Sequence, residues 1–172
     1  MFVSLPSREK SAVHWATPLL FATLWLAFLW SVTRPQDTHG NLLMDWGALS
    51  DGLDTTQTWA SALRDGSALR LFTALFLHAD WAHLLGNLVF LLIFGLPAER
   101  TLGPWRLLLL FLFGGAIANL AALYVIGSPE RTIIGASGAV SALMGTYLTL
   151  FPRAKLGVVL PLGLFLEFVR GP

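Results

Sequence analysis

The sequence predicts an all-α membrane protein, a polytopic helical bundle with four clear transmembrane helices and an incomplete fifth segment. Three observations lead there. Of 172 residues, 55% are hydrophobic and only 12% are charged, and the mean hydropathy is +0.68. That is more apolar than a soluble domain with one core. The apolar residues fall into long runs, separated by short stretches of charge, Gly and Pro. The net charge of +1 offers no basic surface for nucleic acid, and the lack of cysteine excludes disulfides, thiol nucleophiles and thiolate metal sites.

In chain order, Arg8, Glu9 and Lys10 precede an uncharged run over residues 15–33, the first expected span. It exceeds the roughly 7–15 residues of a signal h-region, and Ser31-Val32-Thr33-Arg34 makes a poor cleavage site, so it reads as retained. Trp15 and Trp30 near its ends suit the two membrane interfaces. Residues 34–70 are one long polar connection rich in aspartate: Asp37, Asp45, Asp51, Asp54 and Asp65. Within it Leu42, Leu43, Trp46, Leu49 and Leu53 recur at roughly helical spacing, which fits either an interfacial helix or an extramembrane loop with a small apolar cluster.

The second span is expected over residues 71–98. His78, Asp80, His83 and Asn87 interrupt it, and Glu99-Arg100-Thr101-Leu102-Gly103-Pro104 closes it. Residues 105–126 give the third span, Gly127 to Arg131 a turn, and residues 133–150 the fourth. Residues 156–169 are apolar but broken by Pro161. They fall short of the ~20 residues a spanning helix needs, so they read as an interfacial or re-entrant piece or the start of a fifth span. All 172 residues are expected to form a single domain. With four alternating helices, Arg8, Lys10, Arg100, Arg106, Arg153 and Lys155 share one side. The positive-inside rule makes that side cytoplasmic, with the amino terminus inside, and puts His78, His83 and Ser137 near the outer face.

The chemistry-bearing residues cluster at that face. His83 and Asn87, four apart, share one helical face, whereas His78, five residues before His83, points about 140° away. Two readings stay open for the pair: hydrogen bonds between helices, typically ~0.6–2 kcal/mol in membranes, or donors lining a polar cavity. Ser137 lies between Gly135 and Gly138 at the head of an apolar run. It is either a small packing residue or a nucleophile placed among the free N–H groups of a helix start, where an oxyanion would be held. No His-Glu-x-x-His occurs, and no metal ligand set is expected.

Taken together, His78-Ala79-Asp80-Trp81-Ala82-His83-Leu84-Leu85-Gly86-Asn87, Glu99-Arg100-Thr101-Leu102-Gly103 and Gly135-Ala136-Ser137-Gly138 resemble the rhomboid family of intramembrane serine proteases. The resemblance runs from about Arg70 to Gly145. It implies Ser137 as nucleophile, His83 and Asn87 as oxyanion donors beside the Ser137 N–H, and His78 as a structural histidine. It also implies a structural turn at Glu99 and Arg100 and a membrane-dipping first loop ending at Arg70. Transmembrane proteins are the implied substrates and the lipid bilayer the setting, expected to be a prokaryotic plasma membrane; no cofactor is implied.

Three positions depart from the family pattern. Ser141 stands where some members carry an aromatic, and Leu69 where many have tryptophan. More important, the family's general base is a histidine on a later helix, and the four histidines here, His14, His39, His78 and His83, all precede Ser137. The expectation is a carboxy-terminally shortened rhomboid-type sequence. The alternative is a catalytically inactive rhomboid-like protein that binds transmembrane helices.

Overall fold

No charge interrupts the run from Ala16 to Val32, and it folds as helix α1. The computed structural model describes residues 13–49, 64, 66–126, 132–154, 157–159 and 165–167. Arg8, Glu9, Lys10, Asp51, Leu53, Asp54, Asp65 and the expected turn at 127–131 lie outside the described residues. Helix α1 buries a stripe of Ala16, Thr17, Leu20, Leu24, Phe28 and Ser31, stepping by three or four residues, and exposes Leu19, Leu26 and Leu29. Its first N–H groups have no partner within the helix. The fully buried Glu99 supplies one, accepting from Ala16 N at 2.7 Å and Thr17 N at 2.8 Å.

The long polar connection contains helix α2 (Gln36–Trp46), which takes in the expected Leu42, Leu43 and Trp46, and then strand β1 (Ala48–Leu49). The apolar run expected as one span over 71–98 forms two helices instead. Helix α3 (Ser67–Phe76) ends where Leu77 turns extended, and helix α4 (Trp81–Leu102) starts afresh after Asp80. The physical reason is the Asp80 cap, whose carboxylate accepts the His83 N–H at 2.8 Å from an extended backbone. Over Leu91–Gly95 α4 widens into a π-helical stretch. Gly95 there lies against Thr17, where an added Cβ would come within 3.2 Å of Oγ1.

Helix α5 (Pro104–Ile126) follows the turn at Gly103, its proline sitting where a helix needs no N–H. Strand β2 (Thr132–Ile133) pairs antiparallel with β1, and helix α6 runs over Ser137–Leu150. Among the described residues α4 and α5 are long and apolar enough to cross a membrane, whereas α1 has 17 residues and α6 has 14. So two helices reach membrane-crossing length where the sequence predicts four spans. The fourth is shorter than 133–150 because β2 pairing and the turn before Ser137 take residues 133–136 out of the helix. Residues 157–159 and 165–167, expected within a partial or re-entrant segment, form an antiparallel pair of strands, β3 and β4. Gly157, the β-branched Val158 and Val159, and Pro161 all work against a helix there.

Close approach through small residues joins α5 to α6. A Cβ added at Gly114 would lie 2.7 Å from Ala142 Cβ, and one at Gly138 would lie 2.6 Å from Ala118 Cβ. Aromatic contacts clasp both ends of the bundle, Phe28 on Trp81 at 4.6 Å and Trp15 on Trp105 at 4.9 Å. Around these contacts Leu24, Phe28, Leu84, Leu91, Leu107, Phe111 and Leu143 form the core.

The Glu99 anchor yields a test. Glu99→Ala orphans two buried N–H groups and is expected to cost about 2–5 kcal/mol, on the ~1–3 kcal/mol of each unsatisfied group. Glu99→Gln keeps one acceptor and should fall between. Unfolding in detergent, followed by circular dichroism, would check the order, and equal stability of all three proteins would refute the anchor.

Candidate active site

Ser137 is the first residue of α6, and the turn that delivers it is set by backbone geometry. Gly135 has φ +104°, a conformation that favours glycine, and its N–H donates to the Ala74 carbonyl at 2.8 Å. A Cβ on Gly135 would also lie 2.5 Å from both Cε1 and Nε2 of His83. The imidazole of His83 therefore lies directly against the turn that precedes Ser137. Ala136 is the cap residue of α6 and no side chain caps this helix, so its first N–H groups stay available beside Ser137. Those donors are what a developing oxyanion requires.

From the other side, α4 presents His83 and Asn87 one turn apart. A cavity of about 370 Å³ lies between the two helices, lined by His83, Gly86, Asn87, Phe90, Ser137, Ser141 and Met144 among others. Ser137 is exposed to it, His83 is half-buried, and Asn87 is buried. Among the described residues Ser137 Oγ makes no hydrogen bond to His83, while the Ser137 carbonyl accepts from Ser141 Oγ at 2.8 Å. Ser141 thus lines the cavity and ties back to its own helix.

His78 departs from the geometry expected of it. It precedes the Asp80 cap and is off the α4 helical frame, so the 140° separation from His83 does not apply. Its ring is fully buried and meets the His83 ring edge-on, centroids 5.1 Å apart. Its Nε2 accepts from Asn87 Nδ2 at 3.0 Å and, at a longer 3.4 Å, from Ala136 N–H. Both donors require the proton on Nδ1. That atom has no aligned hydrogen-bond partner, although the Phe76 carbonyl is near it. His78 therefore links Asn87 on α4 to the residue before Ser137. The signal for this was in the sequence: Asp80, three residues ahead of His83, has the spacing of a helix cap.

The remaining expected residues sit apart from the cavity. Glu99 anchors α1, and Arg100 is exposed. Arg70, half-buried, is at the junction of α2 and α3. Gly138 sits in the α5–α6 seam. A missed contributor is Asn119, buried on α5, whose amide donates to the Leu71 carbonyl at 2.8 Å and holds α3 in place beneath the Gly135 turn. Among the described residues no cluster of three or more His, Cys, Asp or Glu forms a metal site.

Residues 65–169 match the model of the Rhomboid domain. YdcA of Bacillus subtilis, provisionally named a rhomboid protease, is 37% identical over 95 residues, covering 55% of this chain and 47% of its own. Rhomboid-like protein 11, chloroplastic, of Arabidopsis thaliana is 47% identical over 72 residues, 41% of this chain and 25% of that protein. Rhomboid-related protein 2 of Mus musculus is 32% identical over 127 residues, 73% of this chain and 39% of that protein. The matched stretches thus span between a quarter and about half of these relatives. No solved structure matches.

The bond between His78 and Asn87 can be measured. His78→Phe keeps ring volume and removes the acceptor, with an expected loss of about 1–3 kcal/mol in stability. A double-mutant cycle with Asn87→Ala should return a coupling of roughly 0.5–3 kcal/mol. Strictly additive losses would mean that the two side chains do not interact.

Proposed function

The chain belongs to the rhomboid family, and from that premise we propose that it carries the nucleophile and oxyanion side of an intramembrane serine endopeptidase. The observation that carries this reading is a single cavity bordered by Ser137, His83 and Asn87, with the uncapped start of α6 beside the serine. Ser137 Oγ would attack the carbonyl of a peptide bond exposed in the cavity. The negative charge formed on that carbonyl oxygen would be met by the Ser137 N–H, the Asn87 amide and the His83 ring.

His78 would hold the Asn87 amide in the orientation that presents its donor. The base that the family resemblance implies is a histidine on a later helix, a place that none of His14, His39, His78 and His83 occupies. Substrates are transmembrane proteins whose helix unwinds near the Ser137 end of the bundle, since an extended backbone must reach the hydroxyl. The protein works as a multi-pass membrane protein with its amino terminus on the cytoplasmic side, by the distribution of Lys and Arg. A prokaryotic plasma membrane is the proposed location.

A second reading, a rhomboid-like protein that holds transmembrane helices without cutting them, is favoured by one observation. Among the described residues no histidine is hydrogen-bonded to Ser137 Oγ.

Fluorophosphonate labelling of membranes expressing the natural reading frame separates the two. The protease reading expects a labelled band that disappears in Ser137→Ala. It also expects Asn87→Ala to slow cleavage of a model transmembrane substrate by about 10²–10³-fold, the typical effect of losing one oxyanion donor. Wild-type protein that retains a bound transmembrane helix yet never labels would instead establish the holding role.

A further inference from the structure

Where α2 ends and α3 begins, a second cavity of about 420 Å³ is lined by Asp45, Trp46, Gly66, Leu69, Arg70 and Thr73. It shares no lining residue with the Ser137 cavity. Its two walls are fastened by the Thr73 hydroxyl, which donates to the Trp46 carbonyl at 2.7 Å. Both signs of charge border it: Arg70 is half-buried and Asp45 is exposed. Among the described residues neither has an ion-pair partner, and the two do not pair with each other. Gly66, the cap residue of α3, brings no side-chain acceptor to this wall.

The rim is apolar. Trp46 and Leu69 are 54% and 65% exposed, and Met44 beside them is 48% exposed. Exposed tryptophan and leucine next to an arginine and an aspartate are the composition of a membrane–water boundary. The membrane setting follows from the family and from the two long apolar helices α4 and α5.

We propose that this cavity binds the headgroup of an amine-bearing zwitterionic phospholipid, with its phosphate on Arg70 and its ammonium on Asp45. The planar guanidinium fork matches two phosphate oxygens. A purely anionic ligand would meet the Asp45 carboxylate and a purely cationic one the Arg70 guanidinium, so a ligand carrying both charges satisfies both walls. The acyl chains would leave over Trp46 and Leu69, covering the exposed apolar rim. The volume is that of an ordinary small-ligand site. The proposal is independent of whether Ser137 is catalytic.

Native mass spectrometry of the chain released from detergent micelles tests it. The ligands are phosphatidylethanolamine, phosphatidylglycerol and soluble phosphoethanolamine, titrated separately. Expected are one retained phosphatidylethanolamine, a preference of about tenfold over phosphatidylglycerol, the size of a ~1.4 kcal/mol difference, and weaker retention of soluble phosphoethanolamine. Asp45→Asn should abolish the preference while leaving thermal unfolding unchanged, and Arg70→Gln should weaken both lipids. An unchanged lipid ratio in Asp45→Asn overturns the proposal, and that variant decides alone if Arg70→Gln fails to fold. Equal retention of soluble phosphoethanolamine would also overturn it, making the site one for a free phosphoester.

Discussion

Gly135 has no room for a side chain, and the site around Ser137 depends on that. Its backbone is at φ +104°, its N–H is held by the Ala74 carbonyl, and the His83 ring occupies the place where a Cβ would go. A left-handed conformation already costs a non-glycine residue roughly 1–2 kcal/mol, before the ring is displaced. Because the contact is between backbone and imidazole, the approach of α4 to the start of α6 does not rely on a flexible linkage. His83 and Asn87 on α4 and the Ser137 hydroxyl on α6 share one cavity beside a residue that has no Cβ.

Polar atoms buried in the bundle serve a second purpose. Glu99 ties α4 to the start of α1, Asn119 ties α5 to α3, and His78 ties α4 to the turn before Ser137, across 83, 48 and 58 residues of sequence. In an apolar surrounding an unpaired N–H or carbonyl costs several kcal/mol, so each tie satisfies groups that would otherwise oppose folding. The Glu99 tie stands near the Trp15–Trp105 contact at one end of the bundle. The other two hold α3 and the turn that precedes Ser137.

Much of this was legible in the residues. Ser137, His83 and Asn87 stand out as polar residues set in apolar runs, their roles being what the family resemblance implies, and they line one cavity. The apolar runs of α1 (Ala16–Val32) and α5 (Pro104–Ile126) fold as helices, because uninterrupted apolar runs leave the backbone few alternatives. The helix break at Leu77–Asp80 leaves little trace in hydropathy, which averages across a four-residue non-helical stretch closed by the Asp80 cap. His78 was consequently assigned to the wrong frame. The pairing of β1 with β2 was equally invisible: two residues against two, more than 80 positions apart, leave no pattern. Residues 156–169 read as a partial or re-entrant segment from their apolarity, their shortness and the break at Pro161, a reading that leaves out the preference of Val158 and Val159 for extended backbone.

The π-helical stretch over Leu91–Gly95 has a consequence for how α4 can vary. A π-turn takes in one more residue than an α-turn, and one residue of α-helix corresponds to about 100° of rotation. The two halves of α4 are therefore set out of phase, so that His83 and Asn87 face α6 while Glu99 reaches α1. Deleting one residue between Leu91 and Gly95 would give a more regular helix and a worse protein. Either the anchor or the cavity would then face the wrong neighbour, although every side chain in both would still be present.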